Sequence, residues 1–202
     1  MTFAVIRRRL RAVLLAAILV SPGCAMAQAA WPSELAPGAY VLDQRHTNLT
    51  VRLNILGAYA YSTRFTRLDG SFTYDPARPG SAQVTITVDP RSMVDQTSIV
   101  GRRMLAILDP DRFPSITFVS REVRFTDGRP ALLGSLTMHG VTRPVTLGMA
   151  FHGATPDSPG AAVRTRFSGT GRIRRSDFGM ATLHGLAGDQ IDLAFQVEFV
   201  RW

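Results

Sequence analysis

Thiols, lysines and histidines are scarce in this chain, and each shortage excludes a class of chemistry. The 202 residues hold one cysteine, no lysine and four histidines. Cys24 lies in the N-terminal segment, so the folded part is expected to be cysteine-free and held by neither disulfides nor thiol chemistry. His46, His139, His152 and His184 include no pair at the i, i+2 or i, i+4 spacing of a local metal site. No G-x-S-x-G elbow, CxxC pair, glycine-rich phosphate loop or acidic metal cluster is present. Every fixed positive charge is an arginine. Four of them (Arg7, Arg8, Arg9 and Arg11) precede the domain, so the formal net charge of +8 falls to 8 − 4 = +4 without them. Beyond that segment the only basic pairs are Arg102-Arg103 and Arg174-Arg175, each flanked by apolar positions. That is no nucleic-acid footprint.

Long apolar runs are missing as well. The apolar stretch 12–20 has nine residues, well short of the roughly 20 that a spanning helix needs. It follows the arginine cluster and precedes Ala25-Met26-Ala27. That order is the n-region, h-region and small-residue cleavage site of an export signal. Cleavage is expected before Gln28, which makes 1–27 a signal and the protein periplasmic. A lipoprotein reading on Gly23-Cys24 is opposed by Ser21 and Pro22, which fit a lipobox poorly. Residues 28–39, rich in Ala and Pro, are expected to be a loosely ordered lead-in. The mature chain of 202 − 27 = 175 residues suffices for one domain, 40–202.

What is abundant is alternation. Leu49, Val51, Leu53 and Ile55 alternate with polar residues, as do Val84, Ile86 and Val88, and Val145, Leu147, Met149 and Phe151. Period two means strands with one apolar face. Strands are expected over 40–42, 47–56, 62–74, 82–88, 115–126, 131–138, 143–152, 163–173 and 190–200, with a bulge or bend at Gly70 and a turn at His139-Gly140. Many such strands without a staple predict an all-β closed antiparallel barrel. One helix is expected over 95–108, capped by Asp95 or Thr97 and ended by Asp109-Pro110. Its stripe is Ile99, Val100, Arg103, Met104, Ile107 and Leu108. Residues 176–180 are expected to form a single helical turn, capped by Ser176 or Asp177, with Gly179 at its end. Both helical pieces belong at a barrel end, the longer as a lid or plug.

A barrel of about eight strands either packs its interior or holds a ligand there. The inward apolar set is expected to be Leu53, Ile55, Phe65, Phe72, Val84, Ile86, Met104, Leu108, Phe118, Leu136, Met138, Leu147, Phe167 and Phe195. The same residues serve a packed core or a cavity. Met93, Met104, Met138, Met149 and Met180 favour a cavity, because flexible thioethers conform to irregular apolar guests. Arg103 and Arg175 are candidates for a ligand's polar end, although an arginine at the second position also suits a clamp on backbone carbonyls. The polar cluster Asp43, Gln44, Arg45 and His46 reads as a turn network. Catalysis would have to come from Asp43/His46 or His184/Asp189.

Several short stretches occur together in a telling order. They are Tyr40-Val41-Leu42-Asp43 with His46-Thr47, Gly70-Ser71-Phe72, 92–97, Arg112-Phe113-Pro114-Ser115 and on to Phe118. Next come 133–145, Arg174-Arg175-Ser176-Asp177-Phe178-Gly179 and Gly188-Asp189. In this order the chain resembles the YceI-like family of periplasmic polyisoprenoid-binding barrels, over most of 40–199. The resemblance implies an eight-stranded lipocalin-like barrel with an elongated apolar pocket. It also implies an isoprenoid quinone or similar amphiphile as ligand, no required cofactor, and a homodimer in many members. Where the family has an acidic, His-containing stretch in the middle helix, this chain has Gly101-Arg102-Arg103-Met104-Leu105. If that helix borders the mouth, its arginines favour an anionic or polar head group. Burial yields roughly 0.8 kcal/mol per CH₂, so each isoprene unit contributes on the order of 3 kcal/mol gross, offset in large part by ordering. A carrier of an isoprenoid-type lipid is the leading expectation. The rivals are a packed interaction module serving a membrane redox protein or an envelope stress response, and an enzyme acting on lipid or quinone.

Overall fold

The computed structural model describes residues 35–57, 59–126, 129–156, 162–181 and 187–201. The expected signal, most of the lead-in and His184 lie outside them.

Among the described residues ten strands form one antiparallel sheet: β1 (Gly38–Leu42), β2 (Asn48–Ile55), β3 (Tyr59–Phe65), β4 (Leu68–Tyr74), β5 (Gln83–Val88), β6 (Ile116–Thr126), β7 (Arg129–Met138), β8 (Val141–Pro156), β9 (Val163–Arg174) and β10 (Ala187–Arg201). The sheet closes because β1 pairs with both β4 and β10. One half of β10 pairs with β2 and the other half with β1, so β1 and β2 share one place in the wall. Likewise β3 pairs with β2, and β4 with β1. The ten segments therefore fill eight wall positions, and the barrel is the closed eight-stranded one that the alternation implies.

The two divided positions have local causes. Between β1 and β2 a 3₁₀ turn, Gln44–His46, is capped by Asp43, whose carboxylate accepts from the Arg45 N–H. Between β3 and β4 the expected single strand 62–74 breaks at Thr66-Arg67. There Thr66 N–H donates to the Ser92 carbonyl and Val94 N–H to the Arg64 carbonyl, while Phe65 bridges Met93. The segment after β5 thus pairs with β3 where β5 itself does not reach. Gly70 makes no bulge. It stays in register opposite Ile86, and a Cβ there would lie 2.5 Å from the Thr85 carbonyl oxygen, so its role is close strand approach.

The helix α1 (Ile99–Leu108) starts later than expected, with Ser98 as N-cap and its hydroxyl accepting from Gly101 N–H. Asp95 is committed elsewhere: its carboxylate accepts from the Tyr61 and Ser98 hydroxyls. Asp109 ends the helix in the left-handed region. Met104, Leu105, Ile107 and Leu108 pack on the core, so α1 closes the wall and end of the barrel beside β3. The turn His139-Gly140 has φ of 52° and 74°, the two positive values of a type I′ hairpin turn. The strand β8 runs past the expected end at His152 because Gly153, at φ 110°, absorbs a register shift between Phe151 and Ala154. The short helical turn is Arg175–Phe178; Gly179 ends it as expected, but its N-cap residue is Arg174, which makes no side-chain capping bond, rather than Ser176 or Asp177.

The opposite end is sealed by rings. Tyr40 stacks on Phe72 at 4.5 Å, and Phe72 meets Phe199 and Phe167 edge-on at 4.8 and 5.7 Å. Part of the expected lead-in joins this floor: Leu35 is buried, β1 begins at Gly38, and the Tyr40 hydroxyl donates to the Ala36 carbonyl.

Candidate functional site: an apolar cavity under a helical lid

Alternation along every strand sends one apolar set inward, and the barrel is too wide for that set to meet in the middle. Leu49, Val51, Val84, Ile86, Leu147, Met149, Leu193 and Phe195 point inward yet stay only partly buried. Their uncovered surface bounds a cavity of about 200 Å³. An engineered apolar cavity of about 150 Å³ takes up benzene, so this space admits a comparable length of hydrocarbon. The five methionines Met93, Met104, Met138, Met149 and Met180 all stand on its wall, where flexible side chains can yield to a longer guest.

Of the expected inward set, Leu53, Phe65, Phe72, Val84, Ile86, Met104, Leu108, Phe118, Leu136, Met138, Leu147, Phe167 and Phe195 lie on this wall. Ile55 does not. It sits at the end of β2 and packs with Val100 and Met104 against Leu53, Tyr61 and Ala187. That small second cluster fastens the lid to the β2–β3 hairpin.

Arg103 also falls off the wall. It is exposed on the outer face of α1, because the helix turns Leu105 rather than Arg103 to the core. Arg175 does reach the wall and is buried. Its guanidinium donates to the carbonyls of Gly188 at 3.1 Å, Ala187 at 3.0 Å and Met180. It therefore clips the short turn to the start of β10. Asp189 reinforces the clip by accepting from the Ser176 N–H and hydroxyl.

Two polar wall residues escaped the sequence reading: Tyr61 and Thr63 on β3. Stepping back by two from Phe65 along β3 reaches both, so the signal was present. Starting the strand at Ser62 excluded Tyr61, and a threonine is not scored as apolar. The Tyr61 phenol donates to Asp95 at 2.9 Å. Burial, with the adjacent Asp95 carboxylate, pushes it up to about 12, while the neighbouring Thr63 hydroxyl acts the other way.

The Asp43/His46 pair does form, His46 Nδ1 lying 3.2 Å from Asp43. It borders a separate open polar cleft that shares no lining residue with the cavity. Arg164 donates to Asp43 at 2.7 Å and to Glu198 at 2.8 Å, and Arg166 donates to Glu198 at 2.9 Å. The Arg164 guanidinium holds Asp43 down to about 2, which makes it a poor base at neutral pH. Burial alone would raise Glu198, but Arg164 and Arg166 outweigh it and keep it below its ordinary range. Asp43, His46 and Glu198 lie close enough to share an ion, yet two guanidiniums already occupy their carboxylates, and the group is an ion-pair network. The His139 and Phe113 rings meet at 4.4 Å with a tilt of 49°, and His152 contacts the Ser168 hydroxyl at 2.6 Å.

Known proteins share this architecture. A UPF0312 protein of Vibrio cholerae is 32% identical over 200 residues, covering 96% of this chain and 99% of that protein. Protein YceI of Salmonella arizonae is 30% identical over 202 residues, covering 96% and 98%. Among solved structures, Burkholderia cenocepacia BcnA superposes with a TM-score of 0.67 at 19% identity, covering 78% of this chain and 98% of that one. A polyisoprenoid binding domain from Saccharophagus degradans, implicated in plant cell wall breakdown, gives 0.59 at 13% identity, covering 80% and 98%. With the YceI-like domain matched over residues 40–199, this chain belongs to the YceI-like family.

Proposed function

We propose that this protein is an exported carrier that holds the isoprenoid tail of a lipid or quinone inside its barrel, without acting on it chemically. The observation that carries this reading is the apolar cavity, closed at one end by aromatic rings and at the other by a helix. Among the described residues its one charged wall residue, Arg175, is already spent on backbone carbonyls. Such a wall rewards hydrocarbon and offers nothing to a multiply charged solute. The polyisoprenoid-binding description of the Saccharophagus degradans neighbour supports the ligand class, and the n-region, apolar stretch and Ala-Met-Ala of 7–27 support a periplasmic location. Binding needs no cofactor.

Native mass spectrometry of protein purified from the periplasm, followed by organic extraction, tests the reading. A stoichiometric isoprenoid-type lipid is the expected result. Leu147→Trp fills the cavity opposite Gly171 and should arrive folded but empty. The same lipid at the same occupancy in that variant would refute the site, and a wild-type protein that refuses added quinone and prenyl lipids would refute the function.

A further inference from the structure

Large apolar side chains stand in the open at the lid end of the barrel. Leu56 and Tyr59, on the tip of the β2–β3 hairpin, are 66% and 64% exposed, and Ile99, the first residue of α1, is 74% exposed. The hairpin and the helix are neighbours. Ile55, beside Leu56, and Val100, beside Ile99, pack on the same small cluster of Leu53, Tyr61 and Ala187. Leu56 is also strained. Its φ is 52° and Gly57 follows at 72°, a conformation that suits Asn or Gly and opposes a branched apolar side chain. The leucine gains little packing in return, being exposed on a tip so open that a Cβ on Gly57 would meet no atom within 4 Å. Strain kept at an exposed position points to function.

The outer face of α1 adds charge of one sign. Ile99, Arg102, Arg103 and Ala106 are exposed along it, and neither 44–68 nor 96–108 contains an acidic residue. The acids that flank the helix are engaged: Asp95 accepts from the Tyr61 and Ser98 hydroxyls, and Asp109 lies 3.7 Å from Arg112. The Arg102 guanidinium donates to the Thr97 carbonyl, and among the described residues neither Arg102 nor Arg103 meets a carboxylate. The opposite face of the same helix, with Met104, Ile107 and Leu108, is cavity wall. On the carrier reading proposed above, we infer that Leu56, Tyr59 and Ile99, with Arg102 and Arg103, form a docking face for an anionic phospholipid bilayer. The leucine and isoleucine enter the acyl boundary, the tyrosine sits at the head-group level, and the arginines meet phosphates. An isoprenoid tail dissolves in a bilayer and not in water, so its carrier must meet one. This face brings the lid, with the cavity directly behind it, against that surface.

Val41 supplies the control: it is 58% exposed, but on β1 next to Tyr40 of the aromatic floor. The experiment floats the mature protein with phosphatidylcholine vesicles, with or without about one-third phosphatidylglycerol, and separately measures uptake of a short-tailed isoprenoid quinone from solution. The protein should bind the anionic vesicles, more weakly the neutral ones, and let go as salt rises. Leu56→Asn and Ile99→Ser should each lower vesicle partition about tenfold, and Arg102→Gln and Arg103→Gln about fivefold each on anionic vesicles alone. Leu56→Asn should also raise the melting temperature, because Asn accepts the positive φ, so its loss of binding is not a loss of fold. Val41→Thr should change nothing. Vesicle binding that survives both Leu56→Asn and Ile99→Ser would overturn the docking face. So would a wild-type protein that ignores vesicles yet takes up quinone, which leaves the carrier reading standing. A dimer in sedimentation that Leu56→Asn disperses, without vesicle binding, would give the face to a second copy of the chain and overturn the bilayer. A protein that neither binds vesicles nor takes up quinone would overturn both readings.

Discussion

Replacing Arg175 by methionine separates a structural clip from a ligand group. The substitution keeps the length and apolar character of the side chain against the cavity, and removes the guanidinium. Three backbone carbonyls, those of Met180, Ala187 and Gly188, lose their donor. Charge-assisted hydrogen bonds contribute roughly 1.5–3 kcal/mol each, and a buried acceptor left bare costs roughly 1–3 kcal/mol. Relaxation and entry of water recover part of this, so a net loss of about 4 kcal/mol is expected. That is a large share of the 5–15 kcal/mol that holds a typical domain together. The removed charge works in the opposite sense, since desolvating it no longer opposes folding; that gain is included in the figure. Urea unfolding followed by far-ultraviolet circular dichroism measures the change, and hydrogen exchange should show lost protection at Arg175–Phe178 and the start of β10. A loss below about 1 kcal/mol, together with weakened lipid binding, would refute the clip and make Arg175 a head-group ligand.

Three further outcomes follow from the same geometry. Gly101→Ala places a Cβ 1.4 Å from the Asp95 carbonyl oxygen, so the start of α1 must lift despite the gain of about 1 kcal/mol in helix propensity. A net destabilisation of about 2–4 kcal/mol and faster amide exchange in α1 are expected, and a stabilised protein would contradict the close packing. Acid should weaken the barrel through the Arg164 network. Asp43 is held at about 2 against an ordinary value of 3.8, and Glu198 is likewise held below 4.5. Their stabilisation is therefore complete above those ordinary values and is lost as the pH falls below them, for Asp43 toward about 2, with Asp43 contributing on the order of 1–2 kcal/mol. Asp43→Asn should flatten the fall in urea midpoint over that window, and an unchanged fall would remove Asp43 from the network. Leu147→Trp should keep or raise the melting temperature while abolishing lipid occupancy, since it fills space rather than displacing packed atoms; a lowered melting temperature with lipid still bound would show the cavity lies elsewhere.

Much of the fold was legible because a strand declares its two faces at every second residue. Alternation over 47–56 or 143–152 identifies the inward side chains without any knowledge of the partner strand. That is why all but one of the expected wall residues stand on the wall. Ile55 is off the wall because it packs, with Val100 and Met104 of α1, against Leu53, Tyr61 and Ala187, and a pattern read along one strand does not show where the helix docks. Arg103 fails for a related reason. A helix stripe is broad, and the face that turns inward depends on how α1 docks on the β2–β3 hairpin, which the local pattern does not contain.

The sequence by itself determined the closed antiparallel barrel, its inward faces, the single helix and the methionine-rich wall. Each of these follows from local periodicity, turn chemistry or composition. Only the tertiary structure decided that the interior is hollow, because filling and lining a barrel take the same residues and differ only in the distance across it. Tertiary contacts also decided the roles of the polar groups. Arg175 became a clip because the start of β10 presents carbonyls to it. Asp43 became an ion-pair partner because β9 and β10 bring Arg164 and Glu198 beside it.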